Sequence, residues 1–259
     1  MAVLLLLSLA GAALGWWLGA RGARETPAQV TTHGEWVRIA RGTDSLRAYV
    51  AYPERKDKAP AIIVIHEIFG LTAWEPTVAD RFAAKGYVAI VPDLLSSKYG
   101  ITPPSPDSGR KLIAQLEPER IIADLDAAYA YVDALPAVRK GDVATIGFCW
   151  GGARSFLYAT ANPKLRAAIV CYGSAPDSDR LAGIRASVLG VYGEDDARIN
   201  ADLPRVDSAM TAQGKRFAHA IYPGTGHGFL KPGRRGSDGP SAARAWDDIF
   251  AFLERTLGS

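Results

Sequence analysis

The sequence is poor in the residues that hold metals or cross-link chains. Its 259 residues include only two cysteines and four histidines. Two thiols do not make a disulfide framework, so we expect Cys149 and Cys171 both to be free. We expect neither a metal nor an organic cofactor.

The sequence also lacks a charge excess, a fixed-period repeat and a low-complexity tract. Its formal net charge is +3, from 30 basic and 27 acidic side chains. Without residues 1–24, which contain Arg21 and Arg24, the basic count falls to 28 against the same 27 acids. This near-neutral body gives no electrostatic reason to expect a nucleic-acid partner.

The amino terminus is the part of the sequence that does not resemble a globular domain. Residues 2–20 are almost uninterrupted Leu, Ala, Gly and Val, and they include Trp16 and Trp17. About 18 apolar residues can span a bilayer core of roughly 30 Å. We predict a signal or membrane anchor over residues 1–24, which makes the protein membrane-anchored or exported. The side of the membrane on which the body lies stays open.

Behind a predicted linker at residues 25–34, the sequence alternates between strands and helices. Short β-rich apolar runs predict strands buried on both faces, and amphipathic stretches separate them. We predict one α/β domain over residues 35–259, with a mainly parallel twisted sheet and helices on both faces. Residues 95–117 are rich in proline and are expected to be irregular. The predicted strands are 36–40, 46–52, 61–66, 87–91, 143–147, 167–172, 188–192 and 217–222, and the predicted helices are 75–85, 119–135, 152–160, 203–213 and 241–257.

The strongest local signal is Gly-Phe-Cys-Trp-Gly-Gly at residues 147–152. It lies between a predicted strand and a predicted helix, as a nucleophile elbow does, with Cys149 in place of serine. A strand that turns sharply into a helix needs small residues two positions before and after the nucleophile. The helix amino terminus favours a thiolate at Cys149.

A thiol nucleophile needs a base, and histidine is the side chain whose pKa suits that role. In hydrolases of this fold the acid and the histidine follow the nucleophile in the chain, which leaves His219 and His227. His219 falls inside a predicted strand, where a structural role is expected. His227 lies in a glycine-rich loop just after that strand, and we predict it as the base.

The acid that orients this base should also follow a strand. Glu194, Asp195 and Asp196 directly follow the run that ends at Tyr192. The acid accepts the second ring N–H of the histidine and stabilises the imidazolium. Spacing alone does not choose among these carboxylates.

Another group of site residues follows the strand that ends at His66. In this fold, the loop after this strand usually supplies one backbone N–H of the oxyanion hole, and the residue after the nucleophile supplies the other. We therefore predict Ile68 and Trp150 as the two donors. Glu67 is unusual because a carboxylate at the end of a buried strand must be paired or functional. For His66 we expect a hydrogen-bonded structural position.

Together these segments resemble the dienelactone hydrolase family of the α/β-hydrolase superfamily. The resemblance spans roughly residues 35–257, and no one of the segments would be specific alone. It rests on HEIFGL at 66–71, VPDLL at 91–95, GFCWGG at 147–152, YGEDD at 192–196 and YPGTGHGF at 222–229.

The resemblance implies a Cys149, Asp196, His227 triad, and thereby selects Asp196 over Asp195. It also implies that Glu67 acts on the resting thiol and helps to form thiolate when substrate binds. Ile68 and Trp150 would form the oxyanion hole.

The sequence departs from the family at two places that concern the substrate. Members from the chlorocatechol pathway carry arginines there that bind a substrate carboxylate, and here Ser97 and Lys231 occupy those places. Lys231 itself and the nearby Lys98, Arg234 and Arg235 are the candidates for substrate binding. Because lysine lacks the bidentate fork of arginine, the departure argues against dienelactone itself.

The sequence therefore predicts hydrolysis of a small carboxylic ester or lactone through a thioester at Cys149. An acyltransferase that uses the same triad is a second possibility. A membrane-tethered, non-catalytic binding protein on a hydrolase scaffold is a third, since fold does not imply function.

Overall fold

The computed structural model describes residues 33–258. Strands and helices alternate after an initial hairpin, as the sequence predicts. The strands are β1 (His33–Arg41), β2 (Asp44–Tyr52), β3 (Ala59–Ile65), β4 (Val88–Pro92), β5 (Val138–Phe148), β6 (Ala167–Cys171), β7 (Ser187–Asp195) and β8 (Phe217–Gly226). The helices are α1 (Trp74–Ala83), α2 (Ser96–Tyr99), α3 (Pro106–Ile113), α4 (Pro118–Ala134), α5 (Trp150–Ala161), α6 (Ala197–Asn200), α7 (Leu203–Ala212) and α8 (Pro240–Leu257), with a 3-10 turn at Arg180–Gly183.

The eight described strands form one sheet in the order β1-β2-β4-β3-β5-β6-β7-β8. Strand β2 is antiparallel to both of its neighbours, and every other pairing is parallel. Strands β1 and β3 to β8 therefore run in one direction. Their carboxyl ends meet at one edge of the sheet, which is where sheets of this type hold their ligands.

The sheet is covered by helices on both faces, which confirms the predicted layers. Helices α4, α5 and α7 contribute Leu125, Phe156 and Met210 to the hydrophobic cluster on one face. Helices α1 and α8 contribute Phe82 and Trp246 to the cluster on the other face. The central strand β3 is buried along its whole length, which explains its continuous apolar sequence.

Two local predictions are corrected by the structure. Strand β1 begins at His33, so the last two residues of the predicted linker belong to the sheet. Residues 95–117 contain α2 and α3 instead of continuous irregular chain. Helix α3 forms because Pro106 occupies its first position and the Ser105 hydroxyl caps the Ser108 N–H, and a proline is tolerated there.

Within residues 33–258, no helix is long and apolar enough to cross a membrane. The predicted membrane segment at residues 2–20 lies outside the described residues. In the same part of the chain, no group of three or more His, Cys, Asp or Glu side chains is arranged to hold a metal ion.

Candidate active site

Cys149 lies at the sharp turn between β5 and α5. Its backbone has φ 56° and ψ −113°, and it is one of two non-glycine residues with positive φ among the described residues. A Cβ at Gly147 would lie 1.9 Å from the Gly151 carbonyl oxygen, and one at Gly151 would lie 2.4 Å from the His66 carbonyl oxygen. Backbone thus fills the space that larger side chains would need, which gives the physical reason for the glycines of the predicted elbow.

His227 directly follows β8, and its ring reaches the acid predicted by the resemblance. Nδ1 of His227 lies 2.5 Å from Oδ2 of Asp196, a carboxylate whose side chain is only 6% exposed. A hydrogen bond with Cys149 is the largest cause that raises the pKa of His227 from 6.5 to about 9, and the hydrogen bond with Asp196 adds to it. Burial acts in the opposite direction. Nδ1 is used by Asp196, so Nε2 is the nitrogen left for Cys149.

The three carboxylates that follow β7 have different partners. Asp196 is buried against His227. Asp195 forms an exposed ion pair with Arg235. Glu194 accepts a hydrogen bond of 2.9 Å from the Gly224 N–H. The geometry therefore brings one of the three to the histidine.

The two predicted oxyanion donors lie beside the thiol. Ile68 and Trp150 line the same pocket as Cys149 and His227. Trp150 is the first residue of α5, so its N–H has no partner within the helix. An oxyanion formed on a carbonyl bound at Cys149 would meet this free donor and the positive end of the helix dipole.

Glu67 is buried, and Lys231 holds its carboxylate. Nζ of Lys231 lies 2.6 Å from Oε2 of Glu67, and the side chains are 19% and 5% exposed. The same ammonium lies 4.9 Å from the ring centre of Trp74. In the resting enzyme Glu67 is therefore half of an ion pair, and Lys231 is occupied by a protein carboxylate.

The other predicted substrate cations lie away from the pocket that contains the thiol. Arg234 is exposed and packs beside Gly228, and the side chain of Arg235 is 68% exposed in its ion pair with Asp195. Ser97 donates a hydrogen bond of 2.6 Å to the buried Asp124. Neither family position for a carboxylate-binding arginine thus presents a free cation.

Sequence reasoning missed Tyr172, Arg154 and Arg198, which line the pocket with Cys149. Tyr172 follows β6, has φ 42° and stands edge-on to the His227 ring at 5.2 Å between centres. Burial raises the pKa of its hydroxyl well above the usual value. Arg154 and Arg198 are the cations of this pocket. The Nε of Arg154 is buried without a hydrogen-bond partner, and burial lowers the pKa of its guanidinium.

No short motif in the sequence marks these residues. Arg154 lies one helical turn after Trp150 on α5, so its position beside that predicted oxyanion donor could have been inferred from spacing. Tyr172 carries no such signal, because its position depends on the neighbouring strands.

The remaining histidines and the second cysteine have structural surroundings. His66 is fully buried; its Nε2 accepts a hydrogen bond of 3.3 Å from the Leu94 N–H, and its ring stacks on Trp150. His219 lies in β8 and contacts Asp207 at 3.3 Å. Cys149 and Cys171 are both free, as predicted, and Cys171 is buried. Burial raises the pKa of the Cys171 thiol well above its usual value.

Comparison with known proteins assigns the chain to a family. The model of the "Dienelactone hydrolase family" matches residues 46–257. The chain belongs to the dienelactone hydrolase family. It is therefore a hydrolase of the ester- and lactone-cleaving type, which confirms the resemblance drawn from the motifs. The α/β-hydrolase fold is confirmed with it.

Named relatives and a solved structure align with most of this chain. A protein of Synechocystis sp. named "Putative carboxymethylenebutenolidase" is 32% identical over 228 residues, which are 82% of this chain and 92% of that one. A protein of the same name from Saccharolobus solfataricus is 30% identical over 247 residues, 81% of this chain and 94% of that one. The crystal structure of a "Putative Dienelactone Hydrolase" from Klebsiella pneumoniae has a TM-score of 0.77 at 27% identity and covers 87% of this chain and 99% of that one.

Proposed function

We propose that this dienelactone hydrolase family member cleaves small carboxylic esters or lactones through a covalent thioester at Cys149. One observation carries the proposal: Cys149 lies at a nucleophile elbow and lines one pocket with His227, whose Nδ1 lies 2.5 Å from Oδ2 of Asp196. A thiol, a base and an orienting acid in this arrangement form the set required for nucleophilic acyl transfer.

The raised pKa of His227 determines the protonation of its imidazole before the reaction begins. With a pKa of about 9, the imidazole is protonated at pH 7. It stabilises the thiolate that Cys149 becomes when substrate binds and the thiol proton passes to Glu67. The thiolate sulfur attacks the substrate carbonyl carbon, and the oxyanion accepts hydrogen bonds from the N–H groups of Ile68 and Trp150. The C–O bond to the leaving alcohol then breaks, and the alkoxide takes the proton from Nε2.

The second half of the reaction uses the neutral imidazole left by the first. His227 removes a proton from water, and the resulting hydroxide attacks the thioester carbonyl. The thiolate of Cys149 leaves, the acid product is released, and the imidazolium is restored with Asp196 as its partner. For a lactone, the leaving alcohol and the acid are parts of one hydroxy acid.

The cations of the pocket support a preference for substrates that carry an anionic group. Arg154 and Arg198 line the pocket beside Cys149, whereas Lys231 is paired with Glu67. We therefore favour Arg154 and Arg198 over Lys231, Arg234 and Arg235 as the side chains that meet a substrate carboxylate. A guanidinium binds a carboxylate through two parallel hydrogen bonds.

A panel of esters and lactones tests the proposal, with each ester paired to an analogue that lacks a free carboxylate. We expect the wild type to hydrolyse members of the panel, with a higher kcat/KM for the acidic member of each pair. Arg154→Met should remove that preference more than it lowers activity toward the neutral ester. Addition of a nucleophilic alcohol or amine tests acyl transfer: formation of a new ester or amide in preference to the acid would contradict hydrolysis as the main reaction.

A further inference from the structure

Five exposed cations surround one depression at the edge of the sheet opposite the active site. Two precede β6, one precedes β7, one precedes β8, and one lies in the last turn of α8. We call them the amino-edge cluster: Lys164, Arg166, Arg185, Arg216 and Arg255. No carboxylate is among the described residues that line this depression.

The charges of the amino-edge cluster are not used within the described part of the chain. Arg166 donates a hydrogen bond of 3.4 Å to the Thr256 carbonyl. None of the five forms an ion pair with a residue between 33 and 258. The chain as a whole carries only +3, so five unpaired cations at one edge are an uneven distribution of charge.

The direction of β1 brings the start of the described chain to this same edge. Strand β1 is antiparallel to β2, and β2 is antiparallel to β4, so β1 runs parallel to the remaining strands. His33, the first residue of β1, is therefore at the amino edge. Cys149 follows β5 and lies at the carboxyl edge.

The distances allow residues 2–20 and the amino-edge cluster to reach one surface. Strand β1 is five positions from β6 and seven from β8 in the sheet, which is roughly 24 to 34 Å at about 4.8 Å per strand. A chain the length of residues 21–32 spans up to about 40 Å when extended. An apolar segment inserted in a bilayer thus permits the amino edge to lie against that bilayer.

We propose that the amino-edge cluster docks on anionic phospholipid headgroups of the membrane that residues 2–20 enter, and that the active site consequently faces away from that membrane. The proposal rests on the membrane anchor predicted from the sequence, and it is independent of the chemistry at Cys149. Each Lys or Arg near an anionic leaflet strengthens attachment several-fold, and the attraction is screened within a Debye length of about 8 Å at physiological ionic strength.

The test uses the full chain reconstituted with vesicles of phosphatidylcholine, with and without phosphatidylglycerol. Hydrogen exchange is measured at amides of residues 164–166, 185–187 and 214–216, and at the carboxyl edge. With phosphatidylglycerol we expect at least tenfold slower exchange at the amino edge only, and we expect high salt to reverse it. Protection of the same size on phosphatidylcholine alone would overturn the proposal.

Matched charge reversals test whether the protection depends on the amino-edge cluster or only on the net charge of the protein. Arg185→Glu with Arg216→Glu changes two cations of the cluster. Arg110→Glu with Lys111→Glu makes the same charge change on α3, which is at the carboxyl edge because Gly109 packs against the Phe69 backbone just beyond β3. Only the first pair should abolish the protection. Equal loss in both pairs would refute the docking surface.

The outcomes also separate failure of docking from failure of the anchor or of the fold. If the full chain binds neither vesicle, the anchor and the docking are both refuted. If it binds both while the amino-edge amides exchange at the rate of the free protein, docking alone is refuted. Protection of the same amides by a soluble polyanion such as heparin, but not by phosphatidylglycerol, assigns the surface to another partner. The double variant Arg185→Glu, Arg216→Glu should hydrolyse esters at the wild-type rate, which verifies that the variant is folded.

Discussion

At the scale of single residues, we expect the protonation of His227 to determine when the site is active. Its pKa is raised from 6.5 to about 9, first by the hydrogen bond with Cys149 and also by Asp196. A raised pKa means that the protonated form stabilises the fold. This stabilisation is fully present below pH 6.5 and is lost as the pH rises through about 9.

The first prediction follows from this proton. The imidazolium must protonate the leaving group, so kcat/KM should fall as the pH rises through about 9. Asp196→Asn removes the charge, and weakens the hydrogen bond, that raise the pKa of His227. It should lower kcat/KM at least a hundredfold and move the fall of kcat/KM at high pH to lower pH. A pH series of kcat/KM measures both effects.

Asp195→Asn is the matched control for that prediction. Asp195 pairs with the exposed Arg235. Loss of the Asp195 charge should therefore leave the fall of kcat/KM at high pH in place and change kcat/KM less than threefold. Equal losses in the two variants would contradict the assignment of Asp196 as the acid.

The second prediction concerns the ion pair between Glu67 and Lys231. Glu67→Gln leaves the Lys231 cation unopposed near the site, which favours thiolate, so alkylation of resting Cys149 at pH 7 should become faster. Lys231→Met leaves the buried carboxylate unopposed, and alkylation should become slower. The rate of reaction with iodoacetamide measures both.

Turnover distinguishes an active role of Glu67 from a structural one. If Glu67 helps to form thiolate when substrate binds, Glu67→Gln should lower kcat/KM at least tenfold while resting alkylation rises. Unchanged turnover with a normal melting temperature would make Glu67 a structural ion-pair partner only.

These residues differ in how far the sequence could predict them. Cys149 and His227 follow from local motifs, because an elbow and a glycine-rich strand end can be recognised along the chain. Asp196 needed the family resemblance, since Asp195 has the same local setting. The partner of Glu67 could not be predicted, because Lys231 is 164 positions away and only the fold brings the two together.

At the scale of elements, the turn from β5 into α5 is the most tightly packed feature of the site. A Cβ at Gly147 would lie 1.9 Å from the Gly151 carbonyl oxygen, and backbone cannot move aside as a flexible side chain can. The sequence predicted this elbow and all eight described strands. It missed the four-residue helices α2 and α6. It also missed α3, because the prolines at 103, 104 and 106 hide a helix that uses Pro106 as its first residue.

The third prediction tests the elbow. Gly147→Ala should lower the free energy of unfolding by about 3 kcal/mol or more, at the upper end of overpacking costs, and should reduce activity in the protein that still folds. Gly239→Ala is the control, because a Cβ there would lie 3.4 Å from its nearest atom. Denaturant unfolding measures both variants, and equal stability would contradict the packing argument.

At the scale of the whole molecule, the structure describes one sheet with its chemistry at the carboxyl edge. The strands that position the site lie between residues 33 and 226 in the part of the chain that the structure describes. We predict that the amino-terminal segment determines where the hydrolase is located, and that the residues of the site determine what it does.

The fourth prediction separates these two properties. Deletion of residues 1–24 should leave a soluble protein with the kcat/KM of the full chain, while the full chain should sediment with membranes. Fractionation of cells expressing each form, followed by an ester assay, measures this. Recovery of the full chain in the soluble fraction with Met1 retained would contradict the anchor.

The most direct test of the central claim is detection of the thioester. A reaction with a good ester substrate, quenched in acid within one turnover, should give an acyl adduct on the peptide that contains Cys149 when analysed by mass spectrometry. The adduct should be absent in Cys149→Ala, which should lose at least a hundredfold in kcat/KM, whereas Cys171→Ala should retain both adduct and activity. A Cys149→Ala enzyme that keeps more than about 10% of kcat/KM, a loss below roughly 1.4 kcal/mol of transition-state stabilisation, would contradict covalent catalysis at this residue.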